Sequence, residues 1–296
     1  MKNLFIFISL VLLCVGSPDP TKSSEPSQKT TIAIAIGLNK VDPKHYEGWD
    51  GPLRACENDA DDMLSIARSQ GYETVSLKTN DATKEHVRNA ILGAAARLKA
   101  GDTLVISYSG HGGQVTDTNG DEDDGLDETW CLFDGEIVDD ELALLWSKFK
   151  PGARIVVYSD SCHSGSVIKR IEQDGVTQTE KYRIMPASVA EKLRRLPEHQ
   201  NLDKGLPSEK DSRSNTTASV ILISGCQDDQ LSNDGHKNGL FTGTLIKVWN
   251  NGKFEGSYQQ FYRAIRKAMP KDQKPNFDTA GVRSPALEAE QPWTHG

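Results

Sequence analysis

The stretch "IVVYSDSCHSG", residues 155–165, opens on β-branched and aromatic residues, the composition of a buried strand. It closes on Asp160, Cys162, His163 and Gly165, a polar, chemistry-bearing tail. An open parallel sheet binds its ligands beyond the carboxyl ends of its strands. Outward from this stretch the same grammar recurs. "TIAIAIGL" (31–38), "YETVSLK" (72–78), "TLVISYS" (103–109), "ARIVVYS" (153–159) and "SVILIS" (219–224) read as strands. Between and after them come helices at 58–71 (Asn58 or Asp59 as cap), at 81–101 (Thr83 or Asp81 as cap), and near 139–149, 239–250 and 257–269. Strands alternating with helices predict an α/β fold, a mainly parallel β-sheet sandwiched by α-helices. Two stretches break the pattern: the acidic loop "TDTNGDEDDGLDE" (116–128), and residues 166–217, which read as a long connection.

The chain has 296 residues, 36% hydrophobic and 26% charged, with a formal net charge of −8. That balance suits a polar-surfaced globular protein and offers no electrostatic support for a nucleic-acid partner. Residues 1–17, with Lys2 ahead of "LFIFISLVLLCVG", read as a signal peptide, and 18–30 as a polar linker, leaving 31–290 as the folded domain. The apolar run is too short for a membrane span, which needs about 20 residues. The expectation is an exported protein, periplasmic or extracellular; "VLLC" (11–14) hints at a lipid anchor, although Leu13 is large where a small residue is wanted. Cys56, Cys131, Cys162 and Cys226 remain outside the leader, without zinc-ligand spacing. Cys131 and Cys226 read as core.

"VISYSGHGG" (105–113) delivers Ser109 and His111 at one strand end, and "IVVYSDSCHSG" delivers Asp160 and Cys162 at another. A thiol and an imidazole from separate strand ends can meet across a cleft, as a Cys–His dyad requires. His163 is adjacent to Cys162, and neighbouring side chains in an extended or turning segment point apart. The expected dyad is therefore Cys162 with His111, with backbone N–H groups at Gly112 and Cys162 holding the oxyanion. A lone cysteine after a strand is more often a buried filler; the matching "SGHGG" reverses that balance.

At these motifs the chain resembles the caspase-like cysteine peptidases, specifically type I metacaspases and their bacterial relatives, the orthocaspases. "YSGHGG" and "DSCHSGS" carry the resemblance, with "LRACENDADDM" (53–63), "IVDDEL" (137–142) and "ILISGCQDDQLSND…GLFTGTL" (221–245) in the family's order. It implies a caspase-like fold with a large-subunit-like part (31–165), the connection (166–217) and a small-subunit-like part (218–290). It also implies endopeptidase cleavage after Arg or Lys, through a thioester, of polypeptide substrates; the expected state is a monomer. Asp59, Ser109 and Asp160 match the positions that hold the basic side chain, and a desolvated carboxylate pair suits a guanidinium fork. Cys56 matches a cysteine near the active site in some members. No cofactor is required; calcium is implied as an activator, its matching acids being Asp127, Asp139 and Asp140. The family's fourth ligand falls on Lys169, which cannot ligate, leaving Asp174 as a substitute or the dependence lost. An EF-hand reading of 117–128 fails on Glu122, where Gly is needed. Arg170, Arg183, Arg195 and Lys204 are candidate sites of self-cleavage. Two other readings stay open: a non-catalytic module that binds basic peptides or regulates a partner, and a transpeptidase using the same dyad.

Overall fold

The computed structural model describes residues 29–162, 182–197, 199–227 and 230–294. The leader, most of the linker, and the readings of His163, Lys169, Arg170 and Asp174 lie outside the described residues. The organising element is strand β1 (Thr31–Gly37), buried along its whole length. Its side chains alternate between two layers, as a strand's must. Ile32, Ile34 and Ile36 pack with Val87 and Ile91 of helix α2 (Lys84–Arg97) and with Leu142 and Leu145 of α3 (Asp139–Trp146). Ala33 and Ala35 face α1 (Cys56–Ser69), α6 (Leu240–Trp249) and α7 (Tyr258–Ala268), through Ala60, Leu64, Leu245 and Phe261. Small residues on that side let α1 come close. A Cβ on Gly37 would lie 2.2 Å from the Cys56 carbonyl oxygen, so no other residue fits there.

On one side of β1 lies the edge strand β2 (Glu73–Lys78); on the other follow β3 (Thr103–Ser109), β7 (Arg154–Asp160), β8 (Ser219–Ser224) and β9 (Asn276–Gly281). All neighbours pair in parallel except β9, which runs antiparallel to β8. β3 and β7 are buried throughout, and in their register Ser109 stands opposite Asp160. The expected sandwich is what the chain forms.

The structure adds elements that patterning does not reveal. A separate antiparallel sheet is built from β4 (Gly112–Thr116), β5 (Leu126–Leu132) and β6 (Gly135–Val138). β4 begins on two glycines, and β5 begins inside the acidic stretch, with Val115 paired to Asp127. Pairing rather than propensity makes these strands. The connection also contains structure: α4 (Ala187–Leu193) buries Val189, Ala190 and Leu193 beside Tyr46 and Cys131, and α5 (Glu209–Asn215) is capped by Ser208. Thr83 caps α2 as expected. α1 starts at Cys56 without a side-chain cap, so Asp59 stands within its first turn and is free for other work. Among the described residues no helix is long and apolar enough to cross a membrane.

Candidate active site

β3 and β7 end side by side, and the chain leaves each differently. After β3 it bends through Gly110 and His111 directly into β4, which places the imidazole at the corner between the two sheets. His111 is 4% exposed, and its Nε2 lies 3.0 Å from the Gly51 carbonyl oxygen. A carbonyl only accepts, so Nε2 carries the proton and Nδ1 the lone pair; among the described residues Nδ1 has no hydrogen-bond partner. The Trp49 ring packs on the imidazole, with centroids 4.7 Å apart. Burial lowers the imidazole pKa to about 4, against the opposing pull of the Gly51 carbonyl, so the ring is neutral near pH 7 and can accept a proton only at Nδ1.

After β7 the chain reaches Cys162, fully buried, whose Sγ accepts the Ser232 N–H and lies 3.6 Å from the Ser232 carbonyl. Over this cysteine runs the segment Tyr182–Met185. The Arg183 carbonyl oxygen accepts from both the Cys162 N–H and the Gly112 N–H, at 3.1 Å each. Those are the two donors expected to form the oxyanion hole. The Arg183 N–H donates to the Ser232 carbonyl at 3.0 Å.

The Arg183 side chain, fully buried, enters a pocket of carboxylates. Its guanidinium meets Asp59 at 2.6 Å, Asp160 at 2.8 Å, Asp234 at 3.0 Å and the Ser109 hydroxyl at 2.7 Å. Each acid is itself held. Asp59 accepts from Ser109 at 2.7 Å and from Asn238 and the Gly239 N–H. Asp160 accepts from the Thr242 backbone and hydroxyl and from Ser232. A side chain on Gly239 would fall 2.5 Å from both the guanidinium and Asp160, so the pocket is walled by bare backbone there. Burial raises the Asp59 pKa, while Arg183 pulls it back down. Burial would lower the guanidinium's own pKa, but Asp160, Asp59 and Asp234 carry it well above the usual value.

The Gly112 and Cys162 N–H groups thus converge on one carbonyl oxygen and Asp59, Ser109 and Asp160 on one guanidinium, with His111 next to Gly112 in the chain. Cys56 lies at the pocket too, near enough to Arg183 and Asp59 for their charges to act on its buried thiol. Cys131 is core, but Cys226 is not merely so: it clusters with Cys162 and donates to the Ser161 carbonyl at 3.2 Å. Sequence reasoning missed Asp234, Asn238, Ser232 and Thr242; their only signal is the "QLSND…GLFTGTL" run, which carries no spacing rule of its own.

The expected calcium acids separate. Asp127 and Asp140 come together with Asp121, and Asp127 also with Asp117 and Asp203; in each group the ligand atoms lie within 4.8 Å of one another. Asp139 instead joins Glu122 and Glu128. Helix geometry explains the split, since Asp139 and Asp140 are consecutive at the start of α3 and project in different directions. Asp127 and Asp140, each 1% exposed, present oxygens without hydrogen-bond partners. Burial and then neighbouring acids raise Asp127 to about 8; burial, with Asp121 next, raises Asp140 to about 7. An all-oxygen set with orphaned carboxylate atoms fits a hard divalent cation, with Asp121, Asp117 and Asp203 in place of Asp139.

A family model described as Caspase domain matches residues 30–287. Metacaspase-1 of Mycosarcoma maydis is 29% identical over 290 residues, covering 84% of this chain and 70% of that protein. Metacaspase-1A of Aspergillus terreus is 31% identical, covering 83% and 69% respectively. The crystal structure of protein GSU0716 from Geobacter sulfurreducens is similar with a TM-score of 0.80 and 50% identity, covering 90% of this chain and 98% of that one.

Proposed function

The chain belongs to the caspase-domain family of cysteine peptidases, and from that premise we propose that it is an endopeptidase cutting after Arg or Lys, with the bond Arg183–Ile184 as its own first substrate. The observation that carries this reading is a single residue: Arg183 offers its carbonyl to Cys162 and Gly112 while its guanidinium sits on Asp59, Asp160 and Asp234. A planar fork of donors is the partner such carboxylates are arranged for. A substrate Asp in that pocket would face like charge.

In the proposed reaction, His111 Nδ1 takes the Cys162 thiol proton and the sulfur attacks the carbonyl carbon of the basic residue. The Cys162 and Gly112 N–H groups hold the oxyanion that forms. Collapse breaks the peptide bond, His111 returns the proton to the departing amine, and a thioester to Cys162 remains. Water, deprotonated by His111, attacks the thioester; the new carboxyl leaves, and the proton restores the thiol.

Calcium enters as an activator held by Asp121, Asp127 and Asp140 with Asp117 and Asp203. It would supply positive charge to stacked carboxylates and takes no part in the peptide chemistry. Export, on the composition of residues 1–17, and a monomeric state complete the proposal.

The test is hydrolysis of Arg-, Lys- and Asp-ended fluorogenic peptides, each with calcium and with chelator. Turnover of the first two, absent in Cys162→Ala, is expected. Equal turnover by Cys162→Ala, or a preference for Asp, contradicts the proposal.

A further inference from the structure

The segment that fills the cleft has residues on both sides of the Arg183–Ile184 bond, and those on the far side are as tightly held as Arg183 itself. Tyr182 pairs antiparallel with Asn233, and Ile184 pairs in parallel with Gly112. The Met185 N–H donates to the Gly112 carbonyl at 2.8 Å. The backbone is therefore extended across the cleft, and successive side chains alternate in direction.

Ile184 is 3% exposed and clusters with Cys162, Cys226 and Leu231. Met185, also 3% exposed, clusters with Val41, Tyr46 and Cys131 and with Val189, Ala190 and Leu193 of α4, with Trp49 packed alongside. The Tyr46 hydroxyl donates to the Leu132 carbonyl at 2.6 Å, so its polar end is already satisfied. Room for the Met185 methyl exists because residue 113 has no side chain: a Cβ on Gly113 would lie 2.9 Å from Met185 Cε. The walls contributed by Val41, Tyr46, Trp49, Cys131, Cys226 and Leu231 lie outside the connection. They stay when another chain takes the segment's place.

We propose that the cleft carries two apolar subsites beyond the cut, one at Cys226 and Leu231 and one at Val41, Tyr46, Trp49 and Cys131 over Gly113. The substrates it selects are then polypeptides in which the basic residue is followed by a branched aliphatic residue and a second long apolar one. This rests on the reading of Arg183 as occupying the cleft in substrate register. It also means that peptides ending in a fluorophore after Arg leave half of the specificity unread.

The experiment uses the full chain and internally quenched peptides with Tyr-Arg before the cut and Ile-Met, Ser-Met, Ile-Gly or Ser-Gly after it. Filling or emptying an apolar pocket changes kcat/KM by roughly 10–200-fold. Ile-Met is expected to exceed Ser-Met and Ile-Gly by at least about tenfold each, and Ser-Gly to be slowest. In Leu231→Ala, the preference for Ile over Ser shrinks while that for Met over Gly persists. Equal kcat/KM across the four peptides overturns the subsites and leaves the Arg specificity standing. Failure to cut any of them, together with failure on Arg-ended fluorogenic peptides, overturns both.

Discussion

Two groups of buried aspartates in this protein have met opposite fates. Around Asp59, Asp160 and Asp234 a guanidinium is in place, and hydrogen bonds from Ser109, Asn238, Thr242 and Ser232 take up the remaining oxygens. Around Asp127 and Asp140 the described residues supply no cation, and carboxylate oxygens are left without partners. The electrostatic cost differs accordingly. The first group is matched to a positive side chain; in the second, burial and mutual repulsion raise Asp127 to about 8 and Asp140 to about 7. What this teaches is that acidity alone does not identify a receptor. The fixed donors around each acid tell whether it is built to be charged.

The sharpest way to break the comparison is to make the first group resemble the second. Uncompensated buried charge costs about 3–5 kcal/mol. In a Cys162→Ala background, Arg183→Ala should therefore raise hydrogen exchange at the Ile184 and Met185 amides by roughly 10²–10⁴-fold, while Arg183→Lys keeps most of the protection. Unchanged protection in the Ala variant would separate the seating of this segment from its charge.

Removing a carboxylate should have opposite signs in the two places. Losing one partner of a buried charge pair costs about 2–5 kcal/mol, so Asp160→Asn should lower kcat/KM on Arg peptides by at least roughly 30-fold. Asp127→Asn, in contrast, relieves repulsion. It should raise the unfolding midpoint in chelator at pH 8, by an amount on the order of 1 kcal/mol, and abolish the response to calcium. A destabilised, calcium-responsive Asp127→Asn protein would contradict the assignment.

The pH dependence sharpens the second group further. Its folded-state pKa values, about 8 and about 7, lie above the ordinary carboxylate value of 3.8. These acids thus favour the fold most below pH ~4, and that contribution is lost as the pH rises through 7–8. Calcium at a hundredfold excess over its Kd adds about 2.7 kcal/mol, so the thermal shift it produces should be small at pH 5 and full at pH 8. A shift that shrinks with rising pH goes against the site. The smallest effect concerns His111. In the intact Cys162→Ala chain its ring should titrate near pH 4 by NMR, because the covered site is dry. A value near the ordinary 6.5 would mean that Nδ1 is solvated.

Much of this was legible in residues. "TIAIAIGL", "TLVISYS" and "ARIVVYS" are continuous apolar runs, as strands buried on both faces must be, and they fix the central sheet. The proposed dyad was read from two strand ends and from the divergence of neighbouring side chains at Cys162 and His163. Less legible were the elements made by pairing: β4, built on Gly112 and Gly113, and β9, whose "NFDTAG" pairs with β8 at the sheet's edge among the described residues. Asp234 was invisible because its role depends on a loop meeting a pocket whose other acids, Asp59 and Asp160, lie far from it in sequence. Asp203 joined Asp127 across the connection for the same reason: a polar residue in a long linker carries no periodicity. Arg183 was one of several basic residues in that linker, and only tertiary contact distinguishes it from Arg195.

The central claim is that residues 182–185 occupy the cleft as a substrate does. Intact mass and amino-terminal sequencing of the purified full chain, with and without calcium, test it directly. The account predicts a Cys162-dependent fragment beginning Ile184-Met185, lost in Arg183→Ala and retained in Arg183→Lys. A wild-type chain that hydrolyses Arg peptides yet remains whole at Arg183, or is cut there equally well in Cys162→Ala, would contradict it.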